Sequence, residues 1–466
     1  MGYERKANLM SATASIAERQ SQDISQHLLD RAEELIERAR KAGADAADAV
    51  VMRARSTSVS VRLGKVEGIE ASESDDFSLR VFVGKKVASV SANAGFDPAE
   101  LVDRAVAMAK VSPEDPYVGL AEPADLAQEI EDLDLFDATV VTSGMLSESA
   151  LAMEEAARSV PGITNSSGAG ASAGMAGLVL ATSEGFSGAY SRSGFSRSVS
   201  VIAGEGTGME RDYEFDSRLY YADLDDPQVI GRKAGERTVR RLNPKQPATG
   251  SNITVVFDPR VARGFVGHLA GAINGAAVAR KTSFLRDRMG EVIMAPGITV
   301  IDDPRIARRS ASRPFDGEGV AGRKMTMVDN GVLKNWFLST STARELGLKT
   351  NGRGVRGGSG VSPGSTNLSL EPGATSREAL IAGVGEGFYV TELIGQGVNM
   401  VTGEYSRGAG GFWIENGEIT WPVSEVTIAS NLIDMFKRVT PADDIDRKYS
   451  TASPTLAIDG MTLAGR

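Results

Sequence analysis

The chain has 466 residues; Asp and Glu outnumber Lys and Arg by 61 to 51, for a net charge of −10. With 41% apolar and 24% charged residues it can bury a sizeable core, which excludes wholesale disorder, and its acidic balance argues against a general nucleic-acid binder. Cysteine is absent, which excludes disulfides, thiolate metal sites and cysteine nucleophiles together, and only His27 and His268 are available for imidazole chemistry.

Residues 1–20 are polar and are expected to form a disordered tail without the apolar core of a secretory signal. Ile24, Leu28, Leu29, Ala32, Leu35, Ile36 and Ala39 then recur at three- and four-residue steps up to Gly43, which predicts an amphipathic helix with His27 beside the stripe in a surface or capping role. From 46 to 93 the period changes to two, with reversals at Gly64-Lys65 and Gly84-Lys85, as in antiparallel hairpins. Helices are predicted over about 97–110 and over 146–159, the latter with Ser147 as its cap. Residues 163–208 are rich in Ser, Gly and Ala but keep an alternation through Leu178, Leu180, Tyr190, Phe195, Val199 and Val201, which predicts a sheet with closely spaced backbones. A helix starts near Pro227 and ends before Pro244.

The turn-rich KQPATGSN segment marks a boundary within 225–250. Two domains are expected, an N-terminal α/β unit over 21–235 and a strand-rich unit over 236–466. Charge divides at the same place: residues 1–230 hold 38 acidic and 21 basic side chains, and the remainder 23 and 30. Such surfaces could attract each other within the chain or between subunits. The second unit opens with a strand, Ile253–Phe257, and a helix over about 259–279. Short strands follow from 297, with hairpin turns at Asp329-Asn330-Gly331 and Asn416-Gly417. The fold class is therefore α/β in the broad α+β sense. No stretch approaches the roughly 18 apolar residues of a membrane span, and a cytoplasmic chain is expected.

The glycine loop NGRGVRGGSG (351–360) lacks the phosphate-binding GxxxxGK[ST] spacing, but its backbone N–H groups, with Arg353 or Arg356, could cradle a peptide carboxylate. No GxSxG elbow accompanies the many serines. Arg280 to Arg313 holds eight basic residues against four acidic ones without interleaved aromatics, which disfavours nucleic-acid binding.

The segment TELIGQGVNMVTGEYSRGAGGFWIENGEITWPVSEVTIASNLIDMF (391–436) resembles the TldD/PmbA family of "modulator of DNA gyrase" proteins, in its TldE/PmbA branch. SVRLGKVEGIEASESDDFSLRVFVGKKVASVSAN and VFDPRVARGFVGHLAGAINGAAVARKTSFL extend the likeness over most of the chain. The resemblance implies that TldD and TldE chains assemble, through the second domain, into a metallopeptidase acting on small or unfolded peptides. It also implies that the TldD chain carries zinc on an HExxxH helix with a downstream cysteine. Here that window has Arg263 for the first histidine, Gly264 for the glutamate and only His268 preserved. Catalytic zinc takes three protein ligands and an open position, so one imidazole without thiols predicts no catalytic residue and no metal or other cofactor in this chain, zinc being confined to a TldD-like partner. His268, Arg353, Arg356, Glu404, Tyr405, Ser406 and Arg407 are the candidate peptide-binding or interface residues. The expected partners are a TldD-like subunit, a second copy of the chain in isolation, and peptide. Three alternatives stay open: an autonomous peptidase with a non-canonical metal or serine mechanism, a binding regulator of DNA gyrase, and a self-associating scaffold.

Overall fold

The computed structural model describes residues 27–93, 95–357 and 360–465. The expected tail lies outside them, as does the start of the first helix. Helix α1 is described over residues 27–41, with His27 exposed, and stops at Gly43, whose φ of +100° suits glycine.

Six antiparallel strands form the first sheet: β1 (Ala46–Arg62), β2 (Lys65–Val83), β3 (Lys86–Asn93), β4 (Ile163–Thr182), β5 (Ser187–Ala203) and β6 (Glu210–Arg218), in the order β3-β2-β1-β4-β5-β6. The other helices of this region are α2 (Pro98–Val111), α3 (Ser143–Arg158) and α4 (Pro227–Arg240). Period-two alternation puts Ala47, Ala49 and Val51 on the same face as Val59 and Val61. The first three pack in one cluster with α1 and α2, the last two in another with α3 and α4. Helices α3 and α4 approach closely because Gly231 and Gly235 carry no side chain: a Cβ at Gly231 would lie 2.2 Å from the Met153 carbonyl oxygen. Helix α3 starts three residues earlier than predicted. Its cap is Thr142, whose hydroxyl accepts from the Met145 N–H at 3.2 Å, while the Ser147 hydroxyl donates back to the Ser143 carbonyl within the first turn.

The second region contains β7 (Gly250–Phe257), α5 (Pro259–Ala272), α6 (Gly275–Ala279), β8 (Val300–Asp303), β9 (Met325–Asp329), β10 (Val332–Leu333), α7 (Thr340–Glu345), β11 (Gly354–Gly357), β12 (Gly360–Pro363), β13 (Asn367–Leu370), α8 (Arg377–Ala382), β14 (Glu386–Ile394), β15 (Glu404–Glu415), β16 (Glu418–Asn431), α9 (Leu432–Lys437), β17 (Val439–Pro441), β18 (Thr451–Ala452) and β19 (Leu456–Ala464). Strands β7, β14, β15, β16 and β19 pair in that order, and β16 pairs with β19, so five strands close on themselves. Only the β7–β14 pairing is parallel among them. A second sheet runs β10-β9-β8-β13-β18. Val255, Phe257, Phe388, Val390, Ile428 and Ile458 share one large core with Phe265 and Leu269 of α5 and with Leu368 of the second sheet.

The helix predicted over 259–279 is two helices. The chain breaks at Ile273 and Asn274, and the Asn274 side chain caps α6 while its amide donates to the Pro363 carbonyl at 2.7 Å. Part of the predicted glycine loop is the β11–β12 ribbon. Both predicted Asn-Gly hairpins form, with positive φ at Asn330, Gly331, Asn416 and Gly417. Among the described residues no helix is long and apolar enough to cross a membrane.

The two regions meet through the far face of the first sheet. Leu180, Phe186, Phe315 and Val320 form a shared apolar cluster. Beside it the fully buried Asp48 pairs with Arg80 of β2 and, at 2.8 Å, with Arg356 of β11.

Candidate functional site

Strand β6 is the edge of the first sheet, and its alternation separates two chemistries. Asp212, Glu214 and Asp216 are buried, whereas Arg211, Tyr213, Phe215 and Ser217 stand on the other face. Helix α5 begins where β7 ends. Pro259 takes its first position, and the Asp258 carboxylate caps it by accepting from the Arg260 N–H at 3.1 Å and from the Tyr389 hydroxyl at 2.7 Å. This start directs Arg260 and Arg263 at β6. The Arg260 guanidinium donates both of its terminal nitrogens to Asp212, at 2.8 and 2.9 Å, and lies over the Tyr213 ring.

Between β6, α5 and the β14–β15 pair lies a cavity of about 590 Å³. Five arginines line it, Arg211, Arg241, Arg260, Arg263 and Arg407, against Asp212 and Glu392. Arg241 is held by Glu210 at 3.2 Å, by Asp212 at 3.7 Å and by Glu392. Burial alone would raise the Asp212 carboxyl, but Arg260 and Arg241 outweigh it and hold the group below its ordinary value. A second cavity, of about 360 Å³, lies on the other side of Arg263, between Phe215 and Tyr449. The Arg263 guanidinium sits 4.4 Å from the Tyr449 ring centroid and donates through Nε to the Arg260 carbonyl at 2.9 Å.

His268, one turn further along α5, is half-buried, with its ring edge-on to Tyr405 at 6.0 Å. Burial first, and the Arg407 charge second, push its imidazole below the ordinary value of 6.5, so it is neutral at pH 7. Gly264, where a general base would be needed, is exposed, and a Cβ there would meet open space. These residues do not fit a catalytic zinc. Arg263 is a cation stacked on an aromatic ring, Gly264 offers no base, and the charge of a second cation, Arg407, acts on His268. Among the described residues no three His, Cys, Asp or Glu side chains are grouped to hold a metal.

The other expected site residues divide by strand parity and by burial. Tyr405 is buried, and Arg407 reaches the cavity, donating through Nε to the Ile394 carbonyl at 3.2 Å. Glu404 and Ser406 alternate with them and are exposed, and Glu404 accepts from the Thr402 hydroxyl at 3.2 Å. Arg353 is remote in role: it is fully buried, its Nε donates to Asp302 at 2.6 Å, and its terminal nitrogens donate to the carbonyls of Asn351, Gly352, Asp302 and Arg323. A guanidinium so saturated has no donors left for a peptide. Arg356 donates to the Gly317 carbonyl and pairs with Asp48, so it joins the two regions. The pocket acids Asp212 and Glu392 and the arginines Arg211, Arg241 and Arg260 were not anticipated. The acid-basic-acid alternation from Glu210 to Asp216 was the signal available for the β6 members; nothing local to residue 392 marked Glu392.

Comparison with known proteins assigns this architecture. Three family models cover the chain: PmbA/TldA metallopeptidase domain 1 over 47–109, the central domain over 118–242 and the C-terminal domain over 249–465. The first two models together supply the six-stranded sheet, and the third supplies the closed strands and α5. A protein of Haemophilus influenzae named metalloprotease PmbA homolog is 35% identical over 92% of this chain and 94% of its own length. Metalloprotease PmbA of Escherichia coli O157:H7 is 36% identical over 91% and 93%. A Bacteroides thetaiotaomicron crystal structure described as a modulator of DNA gyrase superposes with a TM-score of 0.87 at 29% identity, covering 93% of this chain and 98% of its own. The fold of TldE from Thermococcus kodakarensis also matches, with a TM-score of 0.82 at 22% identity over 93% and 99%. With its three domains matched in order and relatives aligned almost end to end, the chain belongs to the PmbA/TldD metallopeptidase family.

Proposed function

We propose that this chain is a TldE/PmbA-type subunit that carries no catalytic metal and works in the cytoplasm beside a TldD-like zinc peptidase, where it completes the substrate chamber and holds peptide. The observation that carries the reading is the α5 window, with Arg263, Gly264 and His268 where the HExxxH pattern asks for ligand, base and ligand, and with Arg407 against the surviving imidazole. The cysteine-free composition removes the third ligand and supports the cytoplasmic assignment. The open cavity at α5 supports peptide handling, because it lies on the same helix turn that would carry the metal in a catalytic relative.

The name metalloprotease, borne by the Haemophilus and Escherichia relatives, favours a second reading, in which the chain hydrolyses peptides alone. One experiment separates the two. Denatured casein and a short fluorogenic peptide are incubated with the purified chain, with a TldD-like chain and with their mixture, each with and without a chelator. The subunit reading expects no cleavage by this chain alone, chelator-sensitive cleavage in the mixture, and a mixed species by light scattering. Chelator-sensitive cleavage by this chain alone would overturn it.

A further inference from the structure

The arginine cavity contains more positive charge than its own acids neutralise. Asp212 and Glu392, with Glu210 behind them, engage Arg241 and Arg260. Arg211, Arg263 and Arg407 line the same cavity, and among the described residues none of the three forms an ion pair. Arg263 and Arg407 each spend only Nε, on a backbone carbonyl. Their terminal nitrogens, the fork that grips a carboxylate with two parallel hydrogen bonds, are left over. Gly264 lies on the wall of the same cavity, and a Cβ there would meet nothing within 4 Å, so that wall is open. The buried Thr391 hydroxyl on the cavity wall has no hydrogen-bond partner either. The contrast with Arg353, buried and saturated, shows that the fold can satisfy a guanidinium internally where its role is structural.

We infer that this cavity is a carboxylate-recognition site, in which Arg263 and Arg407, with Arg211 at the exposed rim, bind a carboxylate of a peptide. The inference rests on the peptide-handling reading above and adds the substrate class to it. A volume near 590 Å³ accommodates a few residues of extended chain. The phenol ring of Tyr213 and the methylene stem of Arg260 supply apolar wall for the residue that bears the charge. Two sources present the same chemistry, a terminal α-carboxylate or an aspartate or glutamate side chain.

The test uses the full chain and four hexapeptides of glycine, alanine and serine, each labelled at its N-terminus with an uncharged BODIPY dye, followed by fluorescence anisotropy. One has a free C-terminus, one a C-terminal amide, and the other two repeat this pair with a central glutamate. The free acid is expected to bind at least about tenfold more tightly than the neutral amide, the value of a charge-assisted hydrogen bond. The preference should shrink with added salt. If the glutamate amide binds like the free acid, the site reads any carboxylate; if only the free acids bind, it reads the chain end. Arg263→Gln and Arg407→Gln are each expected to remove the preference while leaving the weak binding of the neutral amide in place. Arg211→Gln, at an exposed position, gives a smaller loss without a folding penalty. Equal binding of all four peptides, binding of none, or full preference in the Arg263→Gln, Arg407→Gln double variant would overturn the proposal. These outcomes are independent of the subunit reading, which stands or falls on cleavage in the mixture with a TldD-like chain.

Discussion

Arg353 and Arg263 both stand next to glycine, in segments the sequence offers as loop and helix, and they have opposite fates. Arg353 is sealed between β8 and β11, with the Asp302 carboxylate and four backbone carbonyls taking its donors. Arg263 stands at the junction of two cavities, stacked on Tyr449 and bonded to one carbonyl. A buried guanidinium that is fully paired holds a fold together, whereas one left with free terminal nitrogens beside open volume is available to a ligand. The two clusters thus assign structure to one group of arginines and recognition to the other.

Substitutions that break this comparison should differ in size. Arg353→Met leaves Asp302 buried without its cation, and a loss of about 3–5 kcal/mol is expected, measured as a fall in the urea midpoint with peptide binding intact in the folded fraction. Arg260→Gln, which takes from Asp212 its two-pronged partner where α5 seats on β6 and leaves it the longer contact with Arg241 at 3.7 Å, is expected to cost about 1–3 kcal/mol by the same measurement. If the two substitutions cost the same, the distinction between a sealed pair and a cavity-side pair fails.

The His268 environment gives a smaller and pH-dependent effect. Its imidazole titrates lower when folded than in the unfolded chain, so the unfolded state binds the proton more readily. Stability from this group is therefore complete above the ordinary value of 6.5, declines as the pH falls below it, and is fully lost once the pH is below the folded value. His268→Gln should flatten the dependence of stability on pH in that acidic window. Arg407→Gln should move the folded titration upward, though burial keeps it below the ordinary value. Only two histidines exist, so proton NMR resolves His268 against the exposed His27. An unmoved His268 titration in Arg407→Gln would remove Arg407 from the account of this imidazole.

The smallest expected effect is none. Arg263→His with Gly264→Glu rewrites the helix as an HExxxH pattern, yet the third ligand is still missing and Arg407 still faces His268. Zinc content after dialysis and peptide cleavage by the chain alone should both stay at the level of the unaltered protein.

Local structure was readable where one residue type decides it. The 3.6-residue stripe of α1, the Pro227 start of α4 and the Asn-Gly turns at 330–331 and 416–417 follow from propensity and turn geometry, and all appear in the fold. The errors arose where tertiary partners decide. Asn274 interrupts the predicted long helix because its amide reaches Pro363, 89 residues on. Thr142 rather than Ser147 caps α3 because the Thr142 hydroxyl accepts from the Met145 N–H, whereas the Ser147 hydroxyl is spent on the Ser143 carbonyl inside the helix. The site itself was half legible. The resemblance marked Arg263, Gly264, His268 and Arg407, but the cavity joins residues from position 200 to position 407, and no periodicity reports which of them converge. The closure of the five strands through β16 and β19 was invisible for the same reason.

We propose that this chain does not anchor a hydrolytic metal. The most direct measurement is the zinc content of the purified chain after saturation with zinc and exhaustive dialysis. The account predicts far less than one zinc per chain, with stoichiometric zinc appearing only in complex with a TldD-like subunit. One tightly held zinc per isolated chain, displaced by His268→Ala, would contradict it.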